Sequence, residues 1–103
     1  MGGGRAIEIA ETSREFIRVA ASAKATIDGA PIDLTEAPKL AFLIGSDNPD
    51  DADWHDATWD DGYARLMLGP DDAGLGVGNY WVWITFAAGA EQPVERAGRL
   101  RVF

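Results

Sequence analysis

Residues 75–86, which read Leu-Gly-Val-Gly-Asn-Tyr-Trp-Val-Trp-Ile-Thr-Phe, contain the strongest strand pattern in the sequence. From Tyr80 onward the residues alternate, so that Tyr80, Val82, Ile84 and Phe86 share one face of the predicted strand. The β-branched and aromatic composition of this run is typical of strands. We therefore expect a strand from residue 80 to residue 86, with its start set by the glycines that precede Tyr80.

Six further segments carry shorter alternating patterns, and Gly, Pro and Asp clusters separate them. These predicted strands are residues 6–9, 17–27, 40–44, 54–59, 63–68 and 99–103. About seven strands without a clear helix predict an all-β fold, an antiparallel sandwich or barrel. The Gly-Asn-Tyr string at residues 78–80 favours an immunoglobulin-like antiparallel β-sandwich, in which a tyrosine near the start of one strand hydrogen-bonds the backbone upstream.

The chain has 103 residues, and we expect a flexible arm over residues 1–5 and a single sandwich domain over residues 6–103. Its formal net charge is −8. All of that charge falls in residues 47–72, which contain nine aspartates and one base, Arg65. An acidic chain of this kind argues against binding to nucleic acid or to an anionic membrane, because both need clustered Lys and Arg.

The sequence offers no constellation that predicts catalysis. It has no cysteine, which excludes a disulfide framework and a Cys-based zinc site. The only histidine, His55, lacks a nucleophile motif and is expected in an acidic surface loop. Residues 46–53 offer oxygen ligands of the type that Ca²⁺ prefers but do not match an EF-hand loop. A solvated connection between strands is the alternative, and we expect no enzyme activity, cofactor or resident metal.

The aromatic residues indicate a partner-binding surface. If Tyr80 and its face point to the core, Trp81 and Trp83 point outward, and a neighbouring strand can add Leu43 to the patch. In the alternative orientation the two tryptophans form the core. The candidate partner-binding residues are Trp81, Trp83, Leu43, Trp59, Arg99 and Arg101.

Two other uses of these residues stay open. Arg99 and Arg101 form a basic cluster together with Arg96. This cluster either meets the acidic segment of another copy or balances charge within one molecule. Aromatic platforms also bind sugars, which leaves a carbohydrate- or cell-surface-binding module as the alternative function. Its platforms would be Trp54, Trp59, Trp81 or Trp83.

Several motifs resemble those of small virion proteins of tailed bacteriophages. Residues 29–35 and 40–42 resemble the "G-x-P-x-D-L-T … V-x-F" pattern of immunoglobulin-like virion domains, which N-terminal domains of siphophage upper baseplate proteins also carry. Short proteins encoded among the head and tail genes of actinobacterial phages are similar in length and motif order. The motifs that match them are residues 7–19, 54–59, 64–70, 75–83 and 98–102.

The resemblance covers nearly the whole chain and implies an immunoglobulin-like sandwich in a virion, assembled in the host cytoplasm. It carries over no catalytic residue. We expect an accessory or decoration (minor capsid) protein whose partners are other virion proteins, such as capsid or tail subunits, and further copies of itself. A place in the neck, tail or baseplate is the alternative.

Overall fold

In the computed structural model, which describes residues 7–21, 31–45 and 47–103, eight strands and a single turn of 3-10 helix at Asp51–Asp53 account for the regular structure. The strands are β1 (Ile7–Ile9), β2 (Glu15–Ala20), β3 (Lys39–Leu43), β4 (His55–Asp56), β5 (Thr58–Asp60), β6 (Tyr63–Leu68), β7 (Gly78–Thr85) and β8 (Val94–Val102). The predicted arm at residues 1–5, residues 22–27 of the predicted second strand and residues 28–30 lie outside the described residues.

The strands form two sheets that enclose a common core, as the predicted β-sandwich requires. One sheet has the order β1-β8-β7-β3-β4, and the other has the order β2-β6-β5. The expectation of a wholly antiparallel sandwich is wrong at one edge, where β1 pairs parallel with β8. This pairing lets β1 close the edge of the larger sheet before residues 10–14 carry the chain across to the smaller one.

The core consists of the inward-facing residues of both sheets. The face predicted for the strongest strand is confirmed, because all four of its residues are buried in this cluster. The main contributors are Ile17 and Val19 of β2, Leu40 and Phe42 of β3, Leu68 of β6, Tyr80, Val82 and Ile84 of β7, Phe86, and Leu100 and Val102 of β8. Burying one large apolar side chain contributes about 1.5–3 kcal/mol, so this two-sided alternation is what stabilises the sandwich.

The hydrogen bond predicted for Tyr80 is present. Its hydroxyl donates to the carbonyl oxygen of Gly76 at 2.7 Å, while its ring belongs to the core. The bond spans four residues and ties the loop before β7 to the start of that strand. The loop at Gly76 is thus held by a side chain that the core already immobilises.

Residues 54–59, predicted as one weak strand, are two short strands in different sheets. His55 pairs with Leu40 in the larger sheet, and Trp59 pairs with Ala64 in the smaller one. The chain crosses between the sheets at Ala57, which is buried and donates its N–H to a loop carbonyl, that of Pro38, at 2.9 Å. An alternating pattern does not show such a crossing, so one predicted strand becomes two of the eight described strands.

The turn between β5 and β6 is a two-residue connection, Asp61-Gly62. Both residues have positive φ, 52° for Asp61 and 82° for Gly62. Two-residue hairpins favour this backbone geometry because its twist matches that of the strands, and Asp-Gly is among the dipeptides that adopt it most readily. The hairpin therefore fixes the register of the smaller sheet.

Candidate functional site

The structure assigns the residues of β7 to two faces. Tyr80 and Ile84 belong to the core, so the first of the two orientations considered for this strand is confirmed. Trp81 and Trp83 lie on the other face of the five-stranded sheet, because successive side chains of a strand point in opposite directions. Leu43 of β3 lies directly opposite Trp81 and shares that face.

A β-bulge in β8 brings two arginines to the same face. Arg99 lies opposite Trp81, and Arg96 lies opposite Trp83. Residues three apart in a regular strand point to opposite sides of the sheet. Here the register shift leaves Ala97 as the additional residue of β8, so that Arg96 and Arg99 point the same way.

Both arginines stack on the tryptophans. The guanidinium carbon of Arg96 lies 4.4 Å from the ring centroid of Trp81 and 5.5 Å from that of Trp83. The guanidinium carbon of Arg99 lies 4.5 Å from the ring centroid of Trp81. Contacts of this geometry are cation–π interactions, worth about 0.5–1 kcal/mol each at exposed sites. We call the surface formed by Leu43, Trp81, Trp83, Arg96 and Arg99 the Trp–Arg face.

Trp83 provides less open aromatic surface than the sequence predicts. Its side chain is only 7% exposed, because it lies opposite the small, fully buried Ala41 on one side and under Arg96 on the other. Its indole Nε1–H is buried and has no hydrogen-bond partner among the described residues. A buried donor left unsatisfied costs about 1–3 kcal/mol. The Trp–Arg face thus contains a donor that lacks an acceptor.

Arg96 and Arg99 also lack acidic partners. No carboxylate of the described residues lies within 4.0 Å of either guanidinium group, and both side chains are exposed. The remaining described arginines are all ion-paired, Arg14 with Asp72, Arg18 and Arg65 with Asp60, and Arg101 with Glu8. The Trp–Arg face therefore carries two positive charges that no described acidic group neutralises at close range.

Two of the predicted site residues are engaged elsewhere. Trp59 lies on β5 in the smaller sheet, where its ring packs edge-on against Phe86 with the centroids 6.4 Å apart. Its Nε1–H donates to the carbonyl oxygen of Glu36 at 2.8 Å. Arg101 lies on the larger sheet, but its guanidinium contacts the carboxylate of Glu8 at 3.3 Å. Neither residue belongs to the Trp–Arg face.

The first part of the acidic segment (residues 47–72) borders the Trp–Arg face. Leu43 lines a depression there together with Asp47, Asn48, Asp50 and Asp53. The carboxylate of Asp53 accepts a hydrogen bond from the backbone N–H of Asp50 at 2.8 Å, which closes the turn of 3-10 helix. Ser46, part of the candidate Ca²⁺ loop, lies outside the described residues. Within the described ranges, no three acidic or histidine side chains are grouped so as to hold a metal ion.

His55 packs against the larger sheet. Its ring is half-buried and lies 5.8 Å, centroid to centroid, from the ring of Phe42, at an interplanar angle of 51°. The acidic surface loop expected around it is instead the short strand β4. This contact gives His55 a packing role at the sheet edge.

Arg96 is the site residue that the sequence pattern places least well. It belongs to the predicted basic cluster, but a regular β8 would turn it away from Arg99 and the tryptophans. The one signal available is the odd spacing of Arg96 and Arg99 next to Gly98, since a glycine within a strand pattern often marks a bulge.

A scan against protein-family models and searches of curated proteins and solved structures find no match to this chain. No relative therefore supplies a catalytic or binding residue. The part of the chain that the structure describes contains no helix long and apolar enough to cross a membrane.

Proposed function

We propose that this chain is an accessory structural protein of a tailed-bacteriophage virion that has no enzymatic activity and binds other virion proteins through the Trp–Arg face. The observation that carries this proposal is that Arg96 and Arg99 stack on Trp81 without any described carboxylate beside them. Tryptophan and arginine are the residue types that dominate the binding energy of protein interfaces. We favour decoration of the capsid, with the neck, tail or baseplate as alternatives.

The finer fold that we propose is immunoglobulin-like. In such sandwiches the second, fifth and fourth strands (B, E and D) form one sheet, and strands C, F and G form the other. The orders β2-β6-β5 and β3-β7-β8 correspond to these pairings when β2 is taken as strand B. The hydrogen bond from Tyr80 to Gly76 supports the same reading, because a tyrosine corner at the start of strand F is typical of the fold.

The virion setting is supported by the motif resemblance. Two of the matching motifs, residues 75–83 and 98–102, lie largely on β7 and β8, the strands that supply most of the Trp–Arg face. The resemblance is to structural proteins, which fits a face built for contact with another protein.

A protein partner suits this face better than a sugar does. A sugar platform needs an open ring, whereas guanidinium groups lie over Trp81 and Trp83 is buried. Guanidinium groups instead offer several N–H donors, which pair well with carboxylates of a polypeptide. A change of tryptophan fluorescence on titration with host glycans would favour the carbohydrate-binding alternative.

The test begins with particles purified from the phage that encodes this chain. Quantitative mass spectrometry should find the chain at a constant ratio to the major capsid protein. Its absence from particles would overturn the proposal.

The binding face is tested in the same particles. A photo-cross-linking amino acid at position 43 should capture another virion protein, and the identity of that protein distinguishes capsid from neck, tail or baseplate. The matched control is position 16, because Phe16 is exposed on the opposite sheet. Capture from position 16 and not from position 43 would contradict a role for the Trp–Arg face.

A further inference from the structure

Two surfaces of opposite charge meet at Leu43. On one side Leu43 lies opposite Trp81 in the ladder between β3 and β7. On its other side it lines the depression that also contains Asp47, Asn48, Asp50 and Asp53. The Trp–Arg face and the start of the acidic segment therefore share a border.

The positive side of this border presents donors without acceptors. The guanidinium groups of Arg96 and Arg99 have no carboxylate within 4.0 Å in the described parts of the chain. The Nε1–H of Trp83 is buried beneath Arg96 and has no described partner, but it does not reach the surface. Two exposed guanidinium groups on one surface indicate a ligand rich in acceptors, and a charge-assisted hydrogen bond to a carboxylate is the strongest that an arginine makes.

The negative side presents acceptors without cations. Asp47, Asp50 and Asp51 are exposed, and none of them forms an ion pair with a described basic group. Their position is held by the turn of 3-10 helix, in which Asp53 bonds the backbone of Asp50. The carboxylates are thus displayed on an ordered turn next to the Trp–Arg face.

We propose that the Trp–Arg face binds the residue 47–53 turn of a second copy of this chain, in a two-fold symmetric dimer. A two-fold interface is self-complementary, so each copy offers its basic surface to the acidic surface of the other. Adjacent surfaces of opposite charge meet this requirement, and Leu43, at their border, lies near the axis. The inference rests on the proposed function in one respect, which is that the Trp–Arg face contacts another protein.

The net charge gives the proposal a distinctive salt dependence. Two copies of a chain with charge −8 repel each other at long range, and salt screens that repulsion. The proposed contact is attractive at short range, and salt weakens it too. If the local contacts dominate, raising NaCl from about 50 mM to about 500 mM should dissociate the dimer, whereas unspecific association of acidic molecules should increase.

The experiment is a charge exchange between two variants, read by sedimentation velocity over about 5–500 µM protein. One variant carries Arg96→Glu and Arg99→Glu, and the other carries Asp47→Lys and Asp50→Lys. Each should be monomeric under conditions where the wild-type chain is dimeric, with the dimer dissociation constant raised at least about tenfold. An equimolar mixture should form a dimer again, because both contacts of the mixed pair then join opposite charges.

The control variant, Arg14→Glu with Arg18→Glu, changes the net charge equally but lies outside the Trp–Arg face. It should dimerise like the wild-type chain.

Three results would overturn the dimer proposal: a wild-type chain that stays monomeric, a mixture that fails to re-form the dimer, or a control that also dissociates. Capture of another virion protein at position 43 by a monomeric chain would leave the proposed function standing. If the chain dimerises as proposed but is absent from the particles, the proposed function is overturned and the dimer proposal stands.

Discussion

At the scale of single residues, a hydroxyl group determines how the chain enters its central strand. Tyr80 buries its ring in the core while its hydroxyl reaches the carbonyl oxygen of Gly76 at 2.7 Å. The loop before β7 also packs Ala73 and Leu75 against the core. The hydrogen bond adds a further fixed point between this loop and an immobilised side chain.

We expect Tyr80→Phe to keep the fold and lower the free energy of unfolding by about 1 kcal/mol, because one intramolecular hydrogen bond is lost without a change of shape. Urea denaturation measures the change. Tyr63→Phe is the control, since Tyr63 is 41% exposed and its substitution should cost less than about 0.5 kcal/mol. Equal effects at the two positions would contradict a structural role for the Tyr80 hydroxyl.

Gly62 illustrates a backbone requirement that is separate from packing. A Cβ atom added at Gly62 or at Gly45 meets no atom within 4 Å, but only Gly62 has a positive φ, 82°. Gly62→Ala should therefore lower the free energy of unfolding by about 1–2 kcal/mol, the cost of a left-handed L-residue. Gly45→Ala should be neutral or slightly stabilising. Thermal unfolding of the two variants checks this, and similar losses at both glycines would contradict it.

At the scale of elements, the bulge in β8 decides what the larger sheet displays. Gly98 pairs with Val82 and Arg96 pairs with Trp83, which leaves Ala97 as the additional residue. If Ala97 instead paired with Trp83 in a regular ladder, Arg96 would lie opposite Ile84 and face the core, because a shift of one residue exchanges the two faces of a strand. The exposed arginine pair of the Trp–Arg face therefore depends on the bulge.

Insertion of a second alanine after Ala97 should destabilise the chain by about 3 kcal/mol or more, because in a ladder with a one-residue bulge Arg96 would then lie opposite Ile84 and face the core as an uncompensated charge. Chemical denaturation and the yield of folded protein report the loss. Ala97→Ser keeps the chain length and, at an exposed position, should change stability by less than about 0.5 kcal/mol. An insertion variant as stable as the serine variant would show that the bulge does not set the register.

At the scale of the whole molecule, charge is divided unevenly. Residues 47–72 carry the entire net charge of −8, and the rest of the chain is balanced. Only Asp60 and Asp72 of this segment form ion pairs among the described residues. The other aspartates repel one another across the surface, and this repulsion opposes the compact state.

Neutralising Asp47, Asp51 and Asp61 to asparagine should therefore stabilise the chain at low salt by a few tenths of a kcal/mol per residue. The gain should fade as NaCl approaches about 0.5 M, where charges are screened within a few ångströms. Melting temperatures at several salt concentrations measure both effects. The control replaces Glu11, Glu15 and Glu36 by glutamine, in the balanced part of the chain, and an equal gain there would contradict a local repulsion.

Most of the sandwich follows from the sequence alone. Alternation grouped Tyr80, Val82, Ile84 and Phe86 on the face of β7 that the structure buries, because a half-buried strand must repeat with period two. The Gly-x-Tyr string predicted the hydrogen bond of Tyr80. The parallel pairing of β1 and the crossing at Ala57 were missed, since both depend on which strands become neighbours, and a local pattern carries no such information.

The sequence by itself thus determined the fold class, the alternation of the strongest strand and the position of the acidic segment. Only the tertiary structure decided that Trp81 faces outward, that Trp59 and Arg101 are engaged elsewhere and that Arg96 joins Arg99 over Trp81. The physical reason is that alternation is a property of one strand, whereas the Trp–Arg face depends on the register between two. A single additional residue, Ala97, changes that register.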